Sequence, residues 1–277
     1  MLFQSICKFY KAFAACTLFI VFSTLSPAFG KETKPLVLVS IPWRDTAILN
    51  QIYAPMIKLL ETRLNRKVNL YVSKDYKELA QRLTTGAADL GIFGGNSYVE
   101  AKLDHPQIRY LATCKQPTAF YNSLIIVRKD SSIKGISDLA GKSFAFTDKS
   151  STSGYLYPLL MLTAAKINPE TDFSITYFLE KHDKVYEAVA KGIIDAGGVS
   201  KTALKKSIAT HGDVFQILST SDPIPRNPVV AAPHLSQKTI EKITKILSLA
   251  QSSPIFKHSD SILRGFDIRT DRFYDIV

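Results

Sequence analysis

Residues 36–41 read Leu-Val-Leu-Val-Ser-Ile, apolar at nearly every position and without the alternation of a half-solvated strand. Such a strand needs cover on both faces, as in a parallel sheet with helices above and below. The chain that follows supplies the cover. Pro42 to Asp45 close the strand, and Ile48, Ile52, Met56, Leu60 and Leu64 then recur every four residues. That spacing marks an amphipathic helix, with Pro55 expected to kink or restart it. Residues 68–72 alternate as a second strand. Asp75 and Glu78 form a capping-box pattern ahead of Tyr76, Leu79, Ala80 and Leu83, and Gly86 ends that helix. Residues 88–93 read as a third strand running into Gly94-Gly95 and another helix start near Tyr98. The β-α-β-α-β order predicts a parallel sheet, whose ligands bind beyond the carboxyl ends of its strands. Trp43 and Tyr98 both stand just past such ends.

A second β/α unit repeats the grammar. Residues 121–127 form a long predicted strand and residues 136–142 a short helix with a Gly stop. Phe144 to Phe146 reads as a short buried strand, followed by a polar run, Gly154 and an apolar helical stretch over 155–165. Ser151, Thr152 and Ser153 crowd the start of that helix. They either cap it or join its free N–H groups in gripping an anion, which the helix dipole favours at that end. A strand over 174–179, a turn at 180–183, a helix over 185–191 and a strand over 193–199 continue the pattern. Residues 204–209 read as helix. Strands at 215–218 and 229–232 flank the Pro-rich segment 221–228, and a last amphipathic helix covers 236–249. Two such halves, joined near 118 and again near 220, would leave a cleft between them, with the Pro-rich crossover fitting a hinge.

Within the first 30 residues, Lys8 and Lys11 precede an apolar run over 12–22, and Ala28 and Gly30 follow. This describes a secretory signal peptide cleaved after Gly30, with a lipid-anchor site at Cys16 as the alternative. Eleven apolar-rich residues are too few to span a bilayer, and no later run is longer. Export would leave 33 basic against 24 acidic residues, a charge of +9 suited to steering anions. Cys7 and Cys16 would depart, leaving Cys114 unpaired. No basic run has the density of a nucleic-acid-binding tract. The five histidines (105, 182, 211, 234, 258) are scattered, with no metal-ligand spacing, nucleophile elbow or Walker loop, so neither a metal nor a cofactor is expected. A hydrolase built from Ser153, His182 and Asp183 is the enzymatic alternative. Ser150 to Ser153 with His182 make better sense as neutral donors around a tetrahedral anion.

The chain resembles the phosphonate/phosphite/phosphate-binding proteins of ABC importers, which are periplasmic type II solute-binding proteins. The residues carrying the likeness run in order over about 35–230. They include Asp75-Tyr76, residues 89–94 and 97–99, Tyr121 with residues 125–131, and the Ser-Ser-Thr-Ser-Gly-Tyr-Leu of 150–156. His182-Asp183, Ala188-Val189 with Gly192, residues 195–197 and Ile224-Pro225 complete the set. The resemblance implies a two-lobed α/β fold, each lobe a mostly parallel sheet flanked by helices. Lobe 1 would comprise residues 34–118 plus 222–277, and lobe 2 the inserted residues 119–221. It implies a phosphorus oxyanion held by Ser151, Thr152, Ser153 and His182, with Tyr98, and an aromatic at Trp43, closing from the other lobe. Tyr121 and Asp195 join the expected ligand-binding set; from the sequence alone, Glu180 and Asp195 are open between meeting a ligand amino group and serving as helix-start or turn carboxylates. Arg44 is expected to be solvated. No catalytic residue is implied. The implied partners are an inner-membrane ABC permease or, in the alternative, a sensor kinase, a role in which the Cys114 thiol would matter for arsenic oxyanions. A periplasmic monomer is expected.

Overall fold

The first apolar run becomes β1 (Leu36–Ser40), the strand around which the amino-terminal half is laid out. In the computed structural model, which describes residues 34–277, it pairs in parallel with β2 (Val68–Val72) and with β3 (Leu90–Ile92). The expected signal peptide and the Cys16 alternative lie outside the described residues. Helix α1 (Thr46–Leu64) connects β1 to β2 and continues through Pro55 without the restart that was one of the two expectations there. Interior proline costs about 3 kcal/mol, but Leu49, Ile52 and Tyr53 before it and Met56, Leu59 and Leu60 after it are all buried. Each such side chain contributes about 1.5–3 kcal/mol on burial, so packing outweighs the missing backbone bond. Helix α2 (Tyr76–Thr84) starts where its capping pattern predicts: Asp75 accepts the Glu78 N–H at 2.7 Å and Glu78 accepts the Lys74 N–H at 2.7 Å. Gly86 follows at φ +81°. Helix α3 (Gly95–Asp104) then leads to β4 (Arg109–Lys115).

Beyond β4 come β5 (Phe120–Tyr121), β6 (Ser123–Arg128), β7 (Ser143–Phe146), α4 (Tyr157–Ala164), β8 (Ile175–Phe178), α5 (His182–Ala190), β9 (Ala196–Ser200), α6 (Lys201–His211) and β10 (Phe215–Thr220). The chain returns through β11 (Ile224–Pro225) and β12 (Pro228–Ala231). It finishes with α7 (Gln237–Ser248), α8 (Pro254–Lys257) and β13 (Gly265–Asp267). Strands order as β13-β4-β12-β3-β1-β2 in one sheet, β10-β6-β9-β7-β8 in a second, and β11-β5 in a two-stranded crossing.

The sheets are mixed, which corrects the expectation of mostly parallel ones. The reason lies in the crossing. The outgoing chain passes through β4, β5 and β6, and the returning chain through β10, β11 and β12. Three antiparallel pairings follow, β4 with β12, β5 with β11 and β6 with β10. Two segments running out and back side by side have no other option. Parallel pairing survives on the far side of each sheet, β1 with β2 and β3, and β7 with β8 and β9. The first sheet and its helices share one apolar core, drawn from residues 36–114 and 229–274. The second sheet carries two smaller cores, drawn from residues 124–215.

Candidate functional site

The carboxyl ends of β1, β3, β7 and β9 converge, and with the crossing segments they enclose a small cavity. Trp43, Tyr76, Tyr121, Ser151, Thr152, Ser153 and His182 line it, with Gln116, Ser200, Thr202, Arg226 and Asn227. About 20 Å³ of it is open to the centre of a water molecule.

The hydroxyl triplet owes its placement to an unusual helix start. Residues Thr152–Leu156 form one π-helical turn before α4 begins at Tyr157, so the helix opens with one residue more per turn than the sequence suggests. Ser151 caps that turn by accepting the Gly154 N–H at 3.1 Å. Gly154 itself is required, because a Cβ there would meet the Thr147 Oγ1 at 1.8 Å. Ser153 is pinned through its backbone, whose carbonyl accepts the Ser123 hydroxyl at 2.7 Å. Thr152 Oγ1 accepts the Asn96 N–H at 2.8 Å from the first turn of α3. A hydroxyl that accepts in this way keeps its own proton to give. Ser151, Thr152 and Ser153 are each buried, 2% exposed, so their donor capacity is directed at the cavity rather than at bulk water.

His182 is the first residue of α5 and is buried. Its Nδ1 accepts the Ser200 N–H at 3.1 Å, so the neutral ring carries its proton on Nε2. Burial first, and then the charge of Arg44, push its pKa down to about 3. The ring is therefore a neutral donor. Asp183 does not orient it, because that carboxylate binds Arg44 in a two-pronged ion pair at 2.8 and 2.9 Å. The Ser153/His182/Asp183 relay of a hydrolase is thus unformed. Tyr76 stands beside the Ser151 hydroxyl, and Tyr121 beside those of Ser153 and Thr152. Burial raises both phenol pKa values, and both rings keep their protons to donate. Trp43 meets the His182 ring edge-on at 6.5 Å, while its own N–H is taken by Tyr53 at 3.2 Å. It offers a wall rather than a donor.

Three sequence expectations are corrected. Tyr98 does not line the cavity. It is 1% exposed, its hydroxyl bonds Asp271, and its ring packs on Tyr110 and Tyr274. Asp195 stands at the amino-terminal end of β9, accepting the backbone and hydroxyl of Ser143 at 2.9 and 2.7 Å, at the opposite end of the sheet from the hydroxyl triplet. Arg44 is 3% exposed rather than solvated. Glu180 is likewise absent from the lining residues, as is Cys114. Cys114 is buried in β4, where burial drives its thiol pKa up to about 12 and leaves it unreactive. Tyr76, Gln116, Ser200, Thr202, Arg226 and Asn227 were missed by sequence reasoning. Only Tyr76 carried a signal, as part of the Asp75-Tyr76 resemblance.

Two mixed sheets flanked by helices, linked by a paired crossing and with a polar cavity at their strand ends, make up the fold of the type II periplasmic binding proteins. A family model described as "ABC transporter, phosphonate, periplasmic substrate-binding protein" matches residues 38–273, and the chain belongs to that family. The phosphate-import protein PhnD of Mycolicibacterium smegmatis is 31% identical over 222 residues, 75% of this chain and 69% of the relative. The phosphonates-binding periplasmic protein of Escherichia coli is 28% identical over 245 residues, 85% and 72% of the two chains. Among solved structures, PhnD1 of Prochlorococcus marinus in complex with methylphosphonate superposes with a TM-score of 0.79 at 22% identity, covering 88% of this chain and 95% of that one.

Proposed function

We propose that this periplasmic substrate-binding protein closes on a small tetrahedral phosphorus oxyanion and hands it to the permease of an ABC importer. The observation that carries this is the convergence on one cavity of the buried neutral donors Ser151, Thr152, Ser153, His182 and Tyr76, with the half-buried Tyr121. Such a set meets the oxygens of the anion, and the amino-terminal ends of α5 and of the π turn add their dipoles. Excluding water strengthens each of these bonds. We read residues 34–118 with 222–277 and residues 119–221 as two lobes hinged on the crossing segments. The donor triplet and His182 belong to one lobe, Trp43 and Tyr76 to the other. Export through a leader cleaved after Gly30 is part of the same proposal, as is a permease rather than a sensor kinase for partner. The chemistry called for is binding, not turnover.

The test is calorimetry and thermal shift of the purified protein with methylphosphonate, phosphite and phosphate. At least one of them is expected to raise the melting temperature. Ser151→Ala with Thr152→Ala is expected to weaken binding by about 100-fold or more, two hydrogen bonds to a charged partner being removed. Absence of any shift with all three anions would refute the reading.

A further inference from the structure

Arg226 lines the cavity and is 8% exposed. Among the described residues it pairs with no carboxylate. All its hydrogen bonds go to neutral oxygens: Nε to the Thr118 carbonyl at 3.0 Å, Nη1 to Gln116 Oε1 at 2.9 Å and Thr202 Oγ1 at 3.0 Å, and Nη2 to the Gln116 carbonyl at 3.0 Å. Its guanidinium also lies 5.3 Å from the centre of the Tyr121 ring. Neutral acceptors offset part of the desolvation of a buried cation but cancel none of its charge. Arg44, the other buried arginine nearby, differs in this respect, because Asp183 neutralises it. His182 is uncharged. The guanidinium is therefore the single full charge on the cavity wall among the described residues, and it is positive.

The acids are equally informative. No aspartate or glutamate lines the cavity among the described residues. Asp195 is at the far end of the sheet. Asp148 turns back on its own loop to accept the Ser150 N–H at 2.8 Å, and Asp75 and Glu180 raise its pKa further, after burial itself. An ammonium group carried in on a ligand would find a cation and no carboxylate.

We infer that Arg226 supplies the charge complement for the bound anion, and that the cavity selects small phosphorus oxyanions lacking an amino group. This rests on the oxyanion reading above. Arg226 acts as a specificity-determining residue: the hydroxyls, imidazole and phenols fix the geometry of the oxygens, and the guanidinium fixes the sign and amount of charge. The narrow free space adds a size limit.

The test is calorimetry on the purified protein with methylphosphonate, ethylphosphonate and 2-aminoethylphosphonate, beside Arg226→Gln and Arg226→Lys. Ethylphosphonate and its aminated counterpart have nearly the same chain, so their comparison isolates the amine. Ethylphosphonate is expected to bind at least about tenfold tighter, the amine losing its water without a partner. Arg226→Gln is expected to weaken methylphosphonate binding by about 10- to 100-fold and to flatten its dependence on salt, beside whatever melting temperature the ligand-free protein loses with the hydrogen bonds to Gln116, Thr118 and Thr202. Arg226→Lys, which keeps the charge and loses the fork, is expected to recover part of the loss. A merely structural arginine would not produce the charge-specific rescue or the change in salt dependence. Equal or tighter binding of 2-aminoethylphosphonate overturns the inference, and so does Arg226→Gln binding within about twofold of wild type. If Arg226→Gln does not fold, Arg226→Lys with no measurable affinity overturns it instead. Failure of the wild-type protein to bind any of the three ligands, nor phosphite or phosphate, would refute the oxyanion reading itself, a result separable from the others.

Discussion

His182 works in the cleft as a donor because the fold denies it a second proton. A histidine whose folded pKa is near 3 and whose unfolded value is near 6.5 stabilises the native state fully above pH 6.5. Below that, the unfolded chain takes up a proton that the folded chain refuses, so stability falls as the pH drops from about 6.5 towards 3. The slope attributable to one proton is about 1.4 kcal/mol per pH unit. Denaturant unfolding at a series of pH values should show this slope between pH 6 and 4 in the wild type and lose it in His182→Gln. Parallel curves would show that the ring is not the titrating group. The effect belongs to the ligand-free protein, since a bound anion would favour the imidazolium and oppose it.

The helix starts decide what each element presents, and they mark how far the sequence could be read. Strands β1 and β2 and helices α1, α2 and α7 were legible because burial periodicity and caps are local. Ser236, for example, caps α7 by accepting the Thr239 N–H at 3.3 Å, at the position the pattern indicates. Strand β4 was not legible. Its Arg109, Tyr110, Thr113 and Lys115 interrupt the apolar pattern, and its place beside β12 and β13 is set by the crossing rather than by anything within it. The donor triplet and His182 were readable because helix starts concentrate hydroxyls and free N–H groups. Arg226 and Ser200 were not, because each reaches the cavity from a segment with no motif of its own. Tyr98 misled for a geometric reason. Helix α3 gives its amino-terminal amide at Asn96 to Thr152, while Tyr98, two residues on, falls on the other face against Tyr274 and Asp271. Tyr98→Phe is therefore expected to lower stability by about 1–2 kcal/mol, the loss of one half-buried hydrogen bond to a charged partner. Oxyanion affinity should remain within about twofold of wild type. A tenfold loss of affinity with unchanged stability would restore Tyr98 to the site.

Across the whole molecule, polar contacts of two kinds join the two sheet systems. Asn96 with Thr152, Lys181 with Asp45 at 3.2 Å and Tyr157 with the Ile276 carbonyl at 3.3 Å are exposed or single bonds. The Arg44–Asp183 pair is of another kind: two-pronged, with the arginine side chain 4% and the carboxylate 21% exposed. Removing one partner of a buried pair ordinarily costs about 3–5 kcal/mol, because the survivor is left desolvated. Here the survivor has an escape. If the proposed lobes part, it returns to water and the penalty disappears, so the change should favour an open state more than an unfolded one. Arg44→Ala and Asp183→Asn are each expected to speed ligand dissociation by about tenfold or more while the association rate changes little, since the latch forms after encounter. Melting temperatures without ligand should fall less than the affinity loss suggests. The radius of gyration in solution should grow in the presence of saturating wild-type concentrations of ligand. Arg44→Met with Asp183→Leu replaces the pair by apolar contact and is expected to restore slow dissociation in part. Stopped-flow kinetics and small-angle scattering on the four proteins would decide it. Dissociation rates within twofold of wild type in both single variants would show that this pair holds the fold together and does not govern closure.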